Sequence, residues 1–189
     1  MNPPSSIAAI ILAAGSGRRM GGPKALLRLE GETLLRRAVR AALEAGCAPV
    51  IAVVGDWDPG LSGLPVQAIP NPGAAEGMAS SIRAGLAALP AEAEGVLLLT
   101  VDQPAVDTVL LKRLMALAGE APMHPAACAY AGTLGVPALL PRRLFPELAA
   151  LEGDRGAKAI LQREQALTLP FPEGERDLDT PADIKRLKR

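Results

Sequence analysis

The 189-residue sequence predicts an α/β fold in which a mainly parallel, twisted sheet carries helices on both faces. Short, continuous apolar runs at 7–12, 50–54 and 96–101 are the first observation, because a parallel strand covered on both faces needs such a run. Segments of helical period at 33–45, 80–89 and 107–119 are the second. Strands and helices alternate along the whole chain with no linker, repeat or low-complexity tract, which predicts one domain over 1–189.

Taken in order, Pro3-Pro4-Ser5-Ser6 reads as a loose terminus, and the strand at 7–12 ends in Ala13-Ala14-Gly15. In the helix at 33–45, Leu35, Ala38, Val39, Ala42 and Leu43 share one face, while Arg36, Arg37, Arg40 and Glu44 occupy the other. The strand at 50–54 closes on Gly55-Asp56, and 66–69 is a third strand. A helix at 80–89 precedes the strand at 96–101, and 107–119 is amphipathic again. Residues 126–140 predict a strand pair turning at Gly132, followed by a short helix containing 157–162 and a last strand at 167–169. Thr180-Pro181-Ala182-Asp183 has the form of a capping box opening a final helix.

Composition narrows the function. Hydrophobic residues make up 49% and aromatics 2%, so the core must be Leu, Val, Ile and Ala. Twenty basic residues balance twenty acidic ones, without the basic excess and stacking aromatics of a nucleic-acid binder. Cys47, Cys128 and the one histidine, His124, build neither a thiol-rich zinc site nor a disulfide framework. No apolar run approaches the roughly 20 residues that cross a bilayer, and the first strand lacks a basic leader, so a cytoplasmic location is expected.

The chemistry concentrates after the first strand, in Gly15-Ser16-Gly17-Arg18-Arg19-Met20-Gly21-Gly22-Pro23-Lys24. Glycines let backbone N–H groups approach phosphate oxygens, and Arg and Lys supply countercharge, so a polyphosphate cradle is expected; a plain surface loop is the alternative. Gly22-Pro23-Lys24-Ala25 lacks the Ser or Thr of a P-loop. A dinucleotide fingerprint would need glycine where Met20 stands, and Asp56 lies far beyond the roughly 20 residues at which its acidic partner is expected.

Asp102, in Thr100-Val101-Asp102-Gln103-Pro104, follows the strand at 96–101, and the proline leaves it at the sheet's rim. If that strand neighbours the first, as at a topological switch point, Asp102 faces the glycine-rich loop. A carboxylate beside a polyphosphate invites Mg²⁺, whereas an Asp that only caps a turn is the plainer reading. Asp177 and Asp179 are two apart, so in extended chain they point the same way; either both favour a helix N-terminus, or Asp179 completes a metal site with Asp102. Segment 71–81 offers amide, hydroxyl and backbone groups suited to a base and ribose, and 153–158 places cations at a helix start; ordinary turn chemistry explains either alone.

Together, Leu12-Ala13-Ala14-Gly15-Ser16-Gly17-Arg18-Arg19-Met20-Gly21 with Lys24, Asp102-Gln103-Pro104, segment 71–81, Gly135-Val136-Pro137, segment 153–157 and Asp179-Thr180-Pro181 resemble the molybdenum-cofactor nucleotidyltransferases. The resemblance covers nearly the whole chain and implies a three-layer, Rossmann-like nucleotidyltransferase fold. It is nearest the CTP:molybdopterin cytidylyltransferase branch, because guanylyl-transferring relatives typically read Leu-Ala-Gly-Gly where this chain has Leu12-Ala13-Ala14-Gly15.

The resemblance implies that Leu12, Ala13, Ala14, Gly15, Ser16, Gly17 and Arg18 hold the nucleotide, with Arg19 and Lys24 as catalytic countercharges. Asp102 and Asp179 would hold Mg²⁺. Asn71, Gly77 and Ser81 would hold base and ribose, and Gly135, Pro137, Asp154, Arg155 and Lys158 the acceptor, a phosphorylated pterin. Lys158 stands where the family often has Arg, which loosens bidentate recognition there. A molybdoenzyme or its chaperone would receive the product. The rival readings are a cytidylyl- or uridylyltransferase for a sugar or alcohol phosphate, a dinucleotide-dependent oxidoreductase, and a non-catalytic nucleotide-binding chaperone.

Overall fold

The computed structural model describes residues 7–15, 17, 21–176, 178 and 183. Its elements run β1 (Ile7–Leu12), β2 (Arg28–Leu29), β3 (Glu32–Thr33), α1 (Leu34–Ala45), β4 (Val50–Val54), β5 (Gln67–Pro70) and α2 (Met78–Ala87). They continue with β6 (Gly95–Thr100), α3 (Thr108–Glu120), β7 (Ala126–Tyr130), β8 (Thr133–Pro141), α4 (Phe145–Ala149), α5 (Lys158–Arg163) and β9 (Leu167–Pro170). Seven strands form one sheet in the order β5-β4-β1-β6-β8-β7-β9. Only β8 runs against its neighbours, so the sheet is mainly parallel, as the apolar runs predict.

The strand period of two splits the core into two layers. Ala9, Ile11 and Ala13 face one side, where they join Leu35, Val39, Leu111 and Leu114 of α1 and α3. Ile10, Leu12 and Ala14 face the other, with Ile82 of α2, Leu148 of α4 and Ile160 of α5. Gly85 lets α2 lie close to the sheet, since a Cβ there would come within 2.6 Å of Ile10 Cγ2. An aliphatic sheet with aliphatic helices on both faces explains how a core almost free of aromatics is filled.

Local signals set several boundaries. Thr33 Oγ1 accepts a hydrogen bond from Arg36 N at 3.2 Å, and Gly46, at φ 98°, ends α1. Such an N-cap contributes about 1 kcal/mol. Asp107 Oδ1 does the same for α3, accepting from Leu110 N at 2.8 Å. Ala131 and Gly132 both take positive φ, the turn that lets β7 and β8 pair tightly at Tyr130 and Thr133.

Other boundaries follow from tertiary contacts. α2 begins at Met78, ahead of the expected 80, because Ala79 N donates to Gly153 O at 3.0 Å from a distant segment. The third strand is shifted to Gln67–Pro70 by its pairing with β4. The β2–β3 hairpin and α4 carry too few residues for a period to show in the sequence. Of the proposed final capping box, Asp183 is helical, while Thr180, Pro181 and Ala182 lie outside the described residues. Among the described residues no helix is long and apolar enough to cross a membrane.

Candidate active site

Strands β1 and β6 are parallel neighbours with Leu12 opposite Thr100, so their chains leave the sheet side by side at the same rim. A cavity of about 580 Å³ opens there. Its floor includes Leu12, Ala13, Ala14 and Gly15 from the end of β1, with Thr100, Val101 and Asp102 from the end of β6. The conditional expectation that Asp102 faces the glycine-rich loop is met by this pairing.

Lys24 opens a short 3-10 turn, Lys24–Leu26, whose next residue, Ala25, is 1% exposed and pins the turn to the core. The Lys24 ammonium lies 3.8 Å from Asp102 Oδ2, with both side chains about one quarter exposed (22% and 30%). Gly15 has open space where a side chain would stand and lines the cavity. Gly17 serves the loop itself: at φ +55° a Cβ would overlap the Gly22 carbonyl and lie 3.0 Å from Lys24 N. Ser16, Arg18, Arg19, Asp177 and Asp179 lie outside the described residues.

The opposite wall joins two segments distant in sequence. Gly77, at φ +126°, packs so closely on residues 153 and 154 that a Cβ would meet Gly153 O at 2.5 Å as well as Asp154 Oδ1. Arg83 reinforces the contact, donating to Leu151 O and to Glu76 Oε2, each at 2.6 Å. That hydrogen bond holds the Glu76 carboxyl below its ordinary range and the Arg83 guanidinium above its own. Nothing in the sequence marks this clamp, because its partners are joined only by the fold.

Of the residues expected to hold base and ribose, Gly77 and Ser81 line the cavity and Asn71 stands behind it. The buried Asn71 amide donates to Ser80 Oγ at 2.9 Å and Ser81 Oγ at 3.0 Å, while its Oδ1 accepts from Gly73 N. Both amide hydrogens and the carbonyl oxygen are therefore engaged in shaping the loop. Ala74, Ala75 and Met78 line the cavity as well; they offer apolar surface, which spacing alone does not single out.

Of the five residues expected at the acceptor, Asp154 lines the cavity. Arg155, in the connection before α5, and Lys158, the first residue of α5, are exposed and outside its lining. Gly135 and Pro137 belong to β8, and Gly135 has a packing reason to be glycine: a Cβ there would overlap the Tyr130 hydroxyl, which donates to Val136 O at 3.0 Å.

The donor set fits a hard divalent cation. Among the described residues no three His, Cys, Asp or Glu side chains gather as a metal cage. Magnesium is commonly held by one or two carboxylates with substrate phosphates and water, and Asp102, in the lining of the cavity, can serve as one such carboxylate.

The profile of the MobA-like NTP transferase domain matches residues 9–168. The chain is 33% identical over 189 residues to the molybdenum cofactor guanylyltransferase of Rhodobacter capsulatus, covering 95% of this chain and 94% of that one. It is 32% identical over 171 residues to the nicotine blue oxidoreductase of Paenarthrobacter nicotinovorans, covering 84% and 82%. Among solved structures, Rv0371c from Mycobacterium tuberculosis H37Rv is similar with a TM-score of 0.80 at 29% identity, over 98% of both chains. The complex of that protein with manganese gives a TM-score of 0.74 at 29% identity, over 96% of this chain and 97% of that one.

Proposed function

The chain belongs to the MobA-like NTP transferase family, and on that premise we propose that it moves CMP from CTP onto a phosphorylated pterin, molybdopterin or molybdenum cofactor, releasing pyrophosphate. The observation that carries the chemistry is the opposition of Lys24 and Asp102 in the lining of a cavity floored by the ends of β1 and β6. An anion and a cation facing one another there suit a substrate that brings both phosphate and a divalent metal.

The acceptor's phosphate oxygen attacks the α-phosphorus in line, forming one P–O bond as the bond to the β-phosphate oxygen breaks and pyrophosphate departs. An acceptor phosphate is already ionised near neutral pH, so no strong general base is needed. His124, which does not line the cavity, and the two buried thiols agree with that. Lys24 neutralises charge that grows at the α-phosphate, and Arg19 binds the triphosphate. Asp102 and Asp179 would hold Mg²⁺, which would supply further charge neutralisation at the phosphates. Gly77 and Ser81 hold base and ribose, with Asn71 acting through Ser81; Asp154 orients the acceptor, with Arg155, Lys158, Gly135 and Pro137 toward its outer part. Catalysis then rests on positioning and electrostatics.

Support for the pterin acceptor comes from the molybdenum cofactor guanylyltransferase relative, and the product would pass to a molybdoenzyme or its chaperone. The nicotine blue oxidoreductase relative favours a second reading, a redox catalyst on the same scaffold. Against it, Met20 stands where a dinucleotide loop has glycine. Pyrophosphate release with each NTP, with and without molybdopterin, tests the transferase. Release with CTP only when acceptor is present supports it; NAD(P)H binding without pyrophosphate release favours the redox reading.

A further inference from the structure

The connection between α4 and α5 reaches the cavity without a core of its own. Each of residues 151–156 is at least partly exposed, while Leu148 before them and Ala157 after them are buried. Hydrogen bonds and backbone contact must therefore set where this turn lies, and a segment held in that way opens more easily than a core element. Asp154, on the turn, lines the cavity.

The turn is held to the start of α2. Ala79 N donates to Gly153 O at 3.0 Å, and Gly77 leaves room for Gly153 and Asp154 where a Cβ would not. Gly156 does the same for Met78, whose Sδ would stand 2.9 Å from a Cβ there. Arg83 spans the seam, its Nη1 donating to Leu151 O and its Nη2 to Glu76 Oε2, each at 2.6 Å. The Arg83 hydrogen bond, and with it the Gly153 backbone N–H, holds the Glu76 carboxyl below its ordinary range. On its other side α2 is fixed to the sheet by the fully buried Ile82 and by Gly85 against Ile10. Of the two segments, the turn is the one that shifts if the seam is cut.

An exposed ion pair adds little to folding, and the Arg83 and Glu76 side chains are 33% and 44% exposed. A planar guanidinium nonetheless fixes two acceptors in one geometry, which the single point charge of an ammonium does not. We propose that Arg83 is a positioning residue that locks the turn at 151–156 onto the nucleotide wall at 74–81, setting Asp154 at a fixed reach from the bound nucleotide and so placing the acceptor for attack. The proposal rests on the reading of Asp154 as an acceptor contact. Arg83 lies outside the cavity lining and acts through the turn it holds. In-line transfer is sensitive to such placement, since a misplacement of about 1 Å can cost roughly a hundredfold in rate.

The test is steady-state pyrophosphate release by the full chain with CTP, Mg²⁺ and molybdopterin, for wild type, Arg83→Met, Arg83→Lys and Asp154→Asn. Methionine keeps an apolar stem and removes both donors. The expected result for Arg83→Met is a kcat/KM for molybdopterin lowered roughly ten- to a hundredfold, with the KM for CTP unchanged. Arg83→Lys, which can restore one of the two bonds, should recover part of the loss. A folded Arg83→Met enzyme with lowered Tm and wild-type kcat/KM for molybdopterin overturns the proposal and leaves Arg83 as a surface brace. Equal losses toward CTP and molybdopterin overturn it too, because the nucleotide wall would then be what Arg83 supports. Unchanged acceptor kinetics in Asp154→Asn, or no release by wild type, instead sinks the functional reading on which the proposal rests. If Arg83→Met does not fold, Glu76→Ala decides, by hydrogen exchange and the same kinetics. Exchange in the peptide covering 151–156 should quicken while that of α2 holds, and unaltered exchange with unaltered kinetics overturns the lock.

Discussion

Lys24 Nζ stands 3.8 Å from Asp102 Oδ2, joining the loop after β1 to the turn after β6. At that distance and partial exposure the pair contributes about 0–1 kcal/mol to folding. The pair is therefore of little weight in the fold. Lys24→Ala should leave Tm within a few degrees of wild type yet lower kcat by about 2.7–4 kcal/mol in barrier, if it matches a lost oxyanion donor. Arg19→Ala should raise KM instead. Steady-state kinetics with CTP separate the two, and a Lys24→Ala enzyme altered in KM alone would overturn this division of labour.

Asp102→Ala is the sharper test of the metal. The carboxylate is at the rim, and its backbone carbonyl, not its side chain, receives Leu178 N. Circular dichroism should thus show an intact fold while turnover falls roughly a hundredfold or more. Near-normal pyrophosphate release at low Mg²⁺ would remove Asp102 from the metal site.

Gly77 is where backbone geometry and site meet. Its φ of +126° suits glycine, and a Cβ would press on Gly153 O and Asp154 Oδ1. Gly77→Ala should cost roughly 1–3 kcal/mol of stability and part the cavity wall. The KM for nucleotide should rise more than kcat falls. Calorimetry with steady-state kinetics checks both, and an alanine variant of wild-type stability would show that the two segments yield easily.

The buried thiols give a pH signature. Desolvation pushes Cys47 up to about 12, and it does the same for Cys128, there partly opposed by Arg113. The folded chain favours the neutral thiol, so the unfolded chain loses its protons first as pH rises. The stabilising contribution is complete below the ordinary thiol range, about 8.5, and is lost as pH rises toward about 12. Denaturant midpoints should fall through that window, and less so in a Cys47→Ala, Cys128→Ala variant. In the native state at pH 8, a disulfide reagent should titrate neither thiol, and both after unfolding.

How far the sequence carried depended on where each cause lies. The runs at 7–12, 50–54 and 96–101 encode burial on both faces, so the sheet's centre and the Asp102 rim were readable from them. Thr33 and Asp107 announce their helices because an N-cap is a local contact. The start of α2 was misplaced because Gly153 sets it from another part of the chain. Asn71 reads as a nucleotide contact since its amide can bind many partners; that this amide donates to Ser80 and Ser81 is a tertiary fact the sequence does not show. The Arg83–Glu76 clamp and the Gln103–Gly174 hydrogen bond were hidden for the same reason. β8 reads as an ordinary strand, and only pairing between β6 and β7 reveals it as the antiparallel member.

Nucleotide choice is expected to turn on Ala14, which is 5% exposed and lines the cavity. It follows the even-numbered residues of β1 and faces the α2 layer, the side from which Gly77 and Ser81 approach. The resemblance implies glycine at this place in guanylyl-transferring relatives, and the extra methyl would remove room from a base that approaches the backbone closely. A purine reaches further than a pyrimidine, and close-packed surroundings limit how far the methyl can yield. Overpacking of this kind costs about 1–3 kcal/mol, or roughly five- to two-hundredfold in relative kcat/KM. CTP should therefore be preferred to GTP without absolute exclusion, the remaining discrimination coming from hydrogen bonds around segment 71–81. Ala14→Gly should raise GTP use and leave CTP use no better, because removing the methyl opens space that cytosine does not fill. Competition between equal CTP and GTP, read as the ratio of pyrophosphate-linked products, measures this directly. A wild-type preference for GTP, or unchanged discrimination in Ala14→Gly, would show that the sieve lies elsewhere in the cavity.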